Sequence, residues 1–230
     1  MDRVLEPEVM DSFAEAVAYD AMDHGAVNRA FVADLCDFGG PDSLPGRVLD
    51  IGTGTGRIPI ELCLQLAGCT VLGIDLSSSM IELGRQNIVT AGLPDRVELA
   101  LADAKQLPYD EGQFDVTISN SIVHHVPDPR VVLAEAVRVT AADGILFFRD
   151  LLRPPDDAAV RRLVRTYAAA EDEGQQRLFE DSLRASLTLL EIRDIVAMLG
   201  YDPAGVQTTS DRHWTWAARK LADRRKRANK

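Results

Sequence analysis

The stretch Val48-Leu49-Asp50-Ile51-Gly52-Thr53-Gly54-Thr55-Gly56-Arg57 constrains the fold of this chain more than any other. It begins as a short apolar run, the mark of a buried parallel strand, and then breaks into glycines at alternate positions. Ile58 to Leu64 follows with apolar residues at helical spacing. The order is therefore strand, glycine turn, helix. Glycine lets the backbone turn tightly and approach a ligand with no Cβ in the way. The helix beyond it offers free N–H groups to something polar or anionic. A dinucleotide fingerprint needs G-x-G-x-x-G. Here the spacing is G-x-G-x-G, and Arg57 stands where that fingerprint has its last glycine.

Further strands follow in the same rhythm. Thr70 to Ile74 is a second buried strand that ends in Asp75, and Ser77-Ser78-Ser79-Met80 opens a helix. Arg96 to Leu101 alternates as a third strand, with Ala102-Asp103-Ala104 at its end. Phe114 to Asn120 is the fourth and runs into Ser121-Ile122-Val123-His124-His125-Val126-Pro127-Asp128. Val131 to Val139 reads as a helix, Ala142-Asp143-Gly144 as a turn, and Ile145 to Asp150 as a fifth strand. Strands alternating with helices imply an α/β fold with a mostly parallel sheet. In such sheets ligands lie beyond the carboxyl ends of the strands, which places Asn120, Ser121, His124, His125 and Asp150 at a cleft or its rim.

The flanks depart from that rhythm. Before the first strand, apolar residues at helical spacing from Phe13 to Ala18 and from Val27 to Leu35 read as two helices, ahead of Gly39-Gly40-Pro41. Between them lies Tyr19-Asp20-Ala21-Met22-Asp23-His24, read either as a polar helix junction with Asp23 as a cap or as part of a lid in which Tyr19, Met22 and His24 meet a substrate. Residues 154–186 read as an inserted helical cap, its first helix closed by the acidic run Glu171-Asp172-Glu173-Gly174. Leu187 to Leu199 is a last amphipathic helix ended by Gly200. Gly205 to Thr209 and His213 to Ala218 read as a closing hairpin. The tryptophans there pack on a helix or, with Arg212 and His213, wall a substrate. The tail from Arg219 to Lys230 is basic and reads as a solvated helix end or, second, as a basic arm for RNA or a partner. The expected division is 1–46 an N-terminal helical lid, 47–152 the core, 153–186 the cap, 187–218 the rest of the core, and 219–230 the tail.

Taken as a set, Asp50-x-Gly52-x-Gly54-x-Gly56, the acid Asp75 within D-x-S-x-x-M, Asp103 followed by Leu107-Pro108-Tyr109, and F-D-V-x-x-S-N with H-H-V-P-D resemble the class I S-adenosylmethionine (SAM)-dependent methyltransferases of the small-molecule, UbiE-like type. The resemblance is close over residues 47–150 and loose over 187–218. It implies a Rossmann-like, seven-stranded, mostly parallel sheet with helices on both faces and an antiparallel closing hairpin. It implies SAM as cofactor, held by Asp50, Gly52, Thr53, Gly54 and Gly56 at the turn and by Asp75 at the ribose. Leu76 and Met80 would flank the nucleoside, Asp103 and the Ala104 N–H would read the adenine, and Asn120 would lie near the sulfonium. His124, His125 and Asn120 are the candidate catalytic residues, since an imidazole removes a proton near neutral pH. Asp150, Tyr19, Met22 and His24 are candidate acceptor contacts.

The expected reaction is in-line methyl transfer to oxygen, nitrogen or sulfur of a small-molecule acceptor, by a monomer or homodimer. An RNA- or protein-modifying methyltransferase, a SAM sensor without catalysis and, last, a nicotinamide dehydrogenase are the rivals. The net charge of −11 argues against a broad nucleic-acid surface, hence against DNA and mostly against RNA, and mildly against an anionic membrane. No signal peptide opens the chain and no apolar run is long enough to span a bilayer, so a cytoplasmic protein is expected. Cys36, Cys63 and Cys69 lack C-x-x-C spacing and read as buried thiols. No spacing such as H-E-x-x-H is present and no metal is expected, although His24, His124 and His125 could meet in space.

Overall fold

The computed structural model describes residues 1–6, 12–22, 24–40 and 46–220. Pro41, the expected cap Asp23 and the tail beyond Lys220 lie outside the described residues. The elements in chain order are α1 (Phe13–Asp20), α2 (Gly25–Gly39), β1 (Arg47–Ile51), α3 (Arg57–Gln65), β2 (Thr70–Asp75), α4 (Ser78–Thr90), β3 (Val97–Leu101) and β4 (Phe114–Asn120). There follow α5 (Pro129–Val139), β5 (Thr140–Leu151), α6 (Asp157–Tyr167), α7 (Glu173–Ala185), α8 (Leu189–Met198), β6 (Val206–Thr208) and β7 (His213–Arg219). The seven strands form one sheet in the order β3-β2-β1-β4-β5-β7-β6. β1 pairs in parallel with β2 and β4, β2 with β3 likewise, and β6 with β7 antiparallel. This is the Rossmann-like, seven-stranded, mostly parallel sheet expected of the sequence, with its closing hairpin.

Contacts divide the chain into two compact units. The larger comprises residues 10–119, 131–147 and 217–230. Val48, Val71, Val97, Val116 and Ile118 form its buried sheet layer with Phe31 and Leu35 of α2 and Leu62 of α3. α4 sits close to the glycine turn because residue 84 is a glycine: a Cβ there would lie 2.6 Å from Leu99 Cδ1 and 3.1 Å from the Thr55 carbonyl carbon. Cys63 and Cys69 are buried thiols, as read, whereas Cys36 on α2 is only half-buried. Carbonyls of Cys63, Leu66 and Cys69, at the end of α3, accept from the Arg96 guanidinium. β5 starts at Thr140, earlier than expected, so the 142–144 turn is replaced by strand. The reason is pairing. Asp143, at φ 63, donates its N–H to Lys220 O at 3.0 Å, and Lys220 N–H donates to Gly144 O at 2.7 Å.

The smaller unit comprises residues 1–9, 120–130 and 148–216. Leu151, Val160, Leu163, Val164 and Leu183 close the α6–α7 layer. Trp214 and Trp216 are fully buried, and Trp216 packs against Phe148 and Tyr201, so the tryptophans are core and not a substrate wall. The acidic run does not close α6, which ends at Tyr167. Asp172 instead caps α7, accepting from the Gln175 N–H, with Glu173 in the first turn. Carboxylates favour a helix start, where free N–H groups and the dipole attract negative charge. Residues 1–6 are tied down in this unit. Arg3 donates to the carbonyls of His124, Val126, Pro127 and Ala185, and the Val4 N–H donates to Arg184 O.

Candidate active site

In the larger unit the glycine turn lies between β1 and α3. Gly52, Gly54 and Gly56 all take left-handed φ angles, of 73°, 53° and 75°, which side chains with a Cβ adopt only at a cost. The Gly54 N–H points at Asp75 Oδ2 (2.8 Å), and Asp75 Oδ1 accepts from the Ser77 N–H (2.9 Å). Asp75 at the end of β2 therefore ties the turn to the start of α4, where Ser77 is the cap. Burial raises the Asp75 carboxyl, partly offset by these N–H groups.

Asp50, at 1% exposure, is the more unusual acid. Its Oδ2 accepts no hydrogen bond. Burial, with help from the Asp75 charge, pushes its pKa up to about 7 against a weaker pull from the Thr53 hydroxyl. A buried carboxylate oxygen without a donor is costly, and a cationic or N–H-bearing ligand at the turn would relieve that cost.

The end of α1 is pinned beside this turn. Arg57 Nε and Nη2 fork onto Asp20 Oδ1 and Oδ2 at 2.8 and 2.5 Å, and Asn87 Nδ2 donates to Asp20 Oδ1 and to Thr55 O at 3.1 Å each. This brings Tyr19 against the turn, its Cε1 within 3.8 Å of where a Gly54 Cβ would be. Burial and then Asp75, Asp20 and Asp50 raise the Tyr19 phenol. His24 stacks on Tyr19 with ring centroids 5.0 Å apart, and Met22 is half-buried. Leu76 is 40% exposed and Met80 buried. Asp103 Oδ1 accepts from the Lys105 N–H at 2.9 Å in a turn, and Ala104 follows it half-buried. Leu107-Pro108-Tyr109 is held by Glu135 and Arg138 of α5.

In the smaller unit, Asn120 ends β4 with its Oδ1 buried and without a hydrogen bond. Ser121 takes φ 60, strain of a kind that clusters at functional loops. The next turn, Val123–His125, carries the histidines. His124 is buried, and its Nδ1 lies 2.5 Å from Asp150 Oδ1. Asp150 has no exposed surface. Its Oδ2 accepts from the Val123 and His124 N–H groups, and its Oδ1 from Leu151 N–H. Asp150 thus meets His124 and the backbone of its own loop.

Burial alone would depress the His124 imidazolium, but Asp150 and then Glu6 more than offset this, and its pKa is raised. Burial works against the Asp150 charge too, and His124 outweighs it, so Asp150 lies below the usual carboxylate range. The His125 ring lies 4.1 Å from the His124 ring, centroid to centroid.

Glu6, which carries no sequence signal of its own, completes this cluster. Its Oε1 lies 3.4 Å from His124 Nε2 and 3.1 Å from His125 Nδ1, while its Oε2 accepts from Ser182. Asn87 carries no sequence signal either, whereas Asp20 belongs to the polar patch before α2 and Arg57 is the residue that breaks the dinucleotide spacing.

Comparison with known proteins bears on these residues. Residues 49–148 match the family described as "Methyltransferase domain". The chain is 36% identical over 110 residues to the ubiquinone/menaquinone biosynthesis C-methyltransferase UbiE of Citrifermentans bemidjiense, covering 47% of each chain. It is 29% identical over 185 residues to the 27-O-demethylrifamycin SV methyltransferase of Amycolatopsis mediterranei, covering 79% of this chain and 64% of that one. The match to the first of these spans about half the relative's length. The fold is that of a SAM-dependent methyltransferase from Aquifex aeolicus, with a TM-score of 0.65 and 17% identity over 91% of this chain and 99% of that one. The orphaned Asp50 oxygen and the glycine turn fit that cofactor class, and residues 49–148 match a methyltransferase domain.

Proposed function

We propose that this chain transfers a methyl group from SAM to an oxygen, nitrogen or sulfur atom of a small-molecule acceptor, by in-line displacement. The observation that carries the reading is the buried contact of 2.5 Å between His124 Nδ1 and Asp150 Oδ1. When bound, SAM supplies a methyl on a sulfonium that is already a strong leaving group. What remains for the chain is to bind, align, exclude water and take up the acceptor's proton, and alignment alone supplies several kcal/mol, up to roughly ten.

In this reading the backbone of Gly52, Thr53, Gly54 and Gly56, with Asp50, holds the amino-acid end of the cofactor. Asp75 takes the ribose hydroxyls, Asp103 and the Ala104 N–H the adenine, and Leu76 and Met80 the faces of the nucleoside. Tyr19 closes over the turn. Asn120 Oδ1, an acceptor with nothing to accept, orients a donor. Asp150 is a positioning residue that fixes the His124 tautomer and its loop. The His124/His125 pair, in its unprotonated form, receives the proton.

Acceptor oxygen is favoured, because a hydroxyl needs that proton removed and because the longer of the two alignments is to an enzyme whose name points to methylation of an oxygen.

A thermal-shift panel followed by turnover tests the reading. S-adenosylhomocysteine should raise the melting temperature by mass action while NAD does not, and Asp75→Ala should abolish the shift. With SAM and a panel of hydroxylated aromatic and macrocyclic compounds, mass spectrometry should detect methylated product. Absence of any S-adenosylhomocysteine binding at millimolar concentration overturns the assignment.

A further inference from the structure

We propose that Glu6, His124 and His125 form a binding site for one divalent first-row transition ion, of the zinc class. The three ligand atoms lie within 4.8 Å of one another. Two of the three edges are measured directly: Glu6 Oε1 to His124 Nε2 at 3.4 Å, and Glu6 Oε1 to His125 Nδ1 at 3.1 Å. Zinc bonds of about 2.0–2.1 Å place neighbouring ligand atoms roughly 2.9–3.4 Å apart, for angles between a right angle and the tetrahedral value. Both edges fall in that range.

Three further features suit a cation. Glu6 Oε2 is occupied by the Ser182 hydroxyl, which leaves Oε1 turned to the rings, buried and without an aligned hydrogen bond. His124 presents Nε2 because Nδ1 faces Asp150, and a carboxylate behind a ligating imidazole is the usual way such a ring is oriented. Arg3, the nearby cation, spends its guanidinium on carbonyls and so leaves both carboxylates to the centre. Two imidazoles with one carboxylate suit zinc, iron, cobalt or nickel better than magnesium or calcium. Three protein ligands leave positions open for an acceptor oxygen, which the ion would bind and make more acidic. Ligation would then replace proton uptake by the rings. That role rests on the proposed methyl transfer; the binding of the ion does not.

The test uses the full chain, stripped with chelator and titrated with Zn²⁺, Co²⁺ and Mg²⁺ by calorimetry, without cofactor or acceptor. One equivalent of Zn²⁺ per chain should bind at micromolar concentration or tighter, and Co²⁺ should develop the visible absorption of a four- or five-coordinate site. Mg²⁺ should not compete. Glu6→Ala and His125→Ala should each lose the site, Asp150→Asn should weaken it about 10- to 100-fold, and His213→Gln should leave it intact. Circular dichroism checks that the variants fold. Anomalous diffraction from a zinc-soaked wild-type crystal locates the ion without any variant. Uptake unchanged in Glu6→Ala and His125→Ala, an ion found elsewhere, or no uptake at all overturns the site and leaves an ion pair between Glu6 and the histidines. Each of those results can coexist with normal S-adenosylhomocysteine binding, so failure here is distinguishable from failure of the methyltransferase reading.

Discussion

Arg57 grips Asp20 with two nitrogens, at 2.8 and 2.5 Å, and so couples the end of α1 to the first residue of α3. Arg57→Ala should therefore act at a distance. The pair is half exposed on the arginine side, so the stability lost should be only about 1 kcal/mol, a melting shift of a few degrees. Affinity for S-adenosylhomocysteine should fall several-fold, because Tyr19 would no longer be held against Gly54. Calorimetry on Arg57→Ala and Tyr19→Ala checks this; equal affinity in both variants and wild type would break the link between α1 and the cofactor.

Asp50 should make cofactor binding depend on pH. Its carboxyl is pushed up to about 7, and an incoming ammonium needs the charged form. Binding at pH 6 should release close to one proton. Affinity should weaken as pH falls below about 7, approaching tenfold per pH unit. Titrations in buffers of different ionisation enthalpy measure the proton count directly, and Asp50→Asn should show none.

The His124–Asp150 pair should stabilise the fold over a defined window. His124 has a raised pKa, so its contribution is complete below the ordinary value of 6.5 and is lost as pH rises through the raised folded value. Asp150 has a lowered pKa, so its contribution is complete above 3.8 and is lost as pH falls through the lowered folded value. Urea unfolding of wild type and His124→Asn at several pH values should show the gap between them shrinking on the alkaline side. A gap that widens there contradicts the charged pair.

His213 should work in the opposite sense. Burial and the neighbouring Arg212 depress it to about 4, and Ser210 Oγ meets its Nδ1 at 2.8 Å. The unfolded chain takes up a proton below 6.5 that the folded chain refuses, so stability should decline as pH falls from 6.5 toward about 4, by at most about 3 kcal/mol. His213→Gln should remove that part of the slope, and proton NMR of the ring reports its titration.

Gly84→Ala is the packing test. The added Cβ would press on Leu99 Cδ1 at 2.6 Å and on the Thr55 backbone at 3.1 Å. Leucine can yield, but the turn backbone has less room. We expect a loss of about 1–3 kcal/mol, with weaker S-adenosylhomocysteine binding. A variant of wild-type stability would show the α4–turn approach to be looser than described.

What the sequence disclosed and what it hid follow from range. Asp50, the glycines, Asp75 and Ser77 declare themselves because a turn and a helix cap are made by neighbours in the chain. The strand ends bearing Asn120 and Asp150 followed from parallel topology. Glu6 was invisible, since nothing within residues 1–6 announces a meeting with His124, more than a hundred positions away. The acidic run at 171–173 was placed on the wrong helix: charge says that a helix boundary is near, while capping geometry decides which side the acids serve. The turn reading of 142–144 failed because pairing with Lys220 overrode a turn-like composition.

Asp150 gathers the His124 ring and the N–H groups of Val123, His124 and Leu151 on one carboxylate. The shape of that loop and the basicity of its imidazole are therefore not separate adjustable quantities. An amide at 150 would alter both together, and a rate lost in such a variant would not report electrostatics alone. Divergence toward a different acceptor has a freer position at Asn120, whose buried oxygen accepts no hydrogen bond.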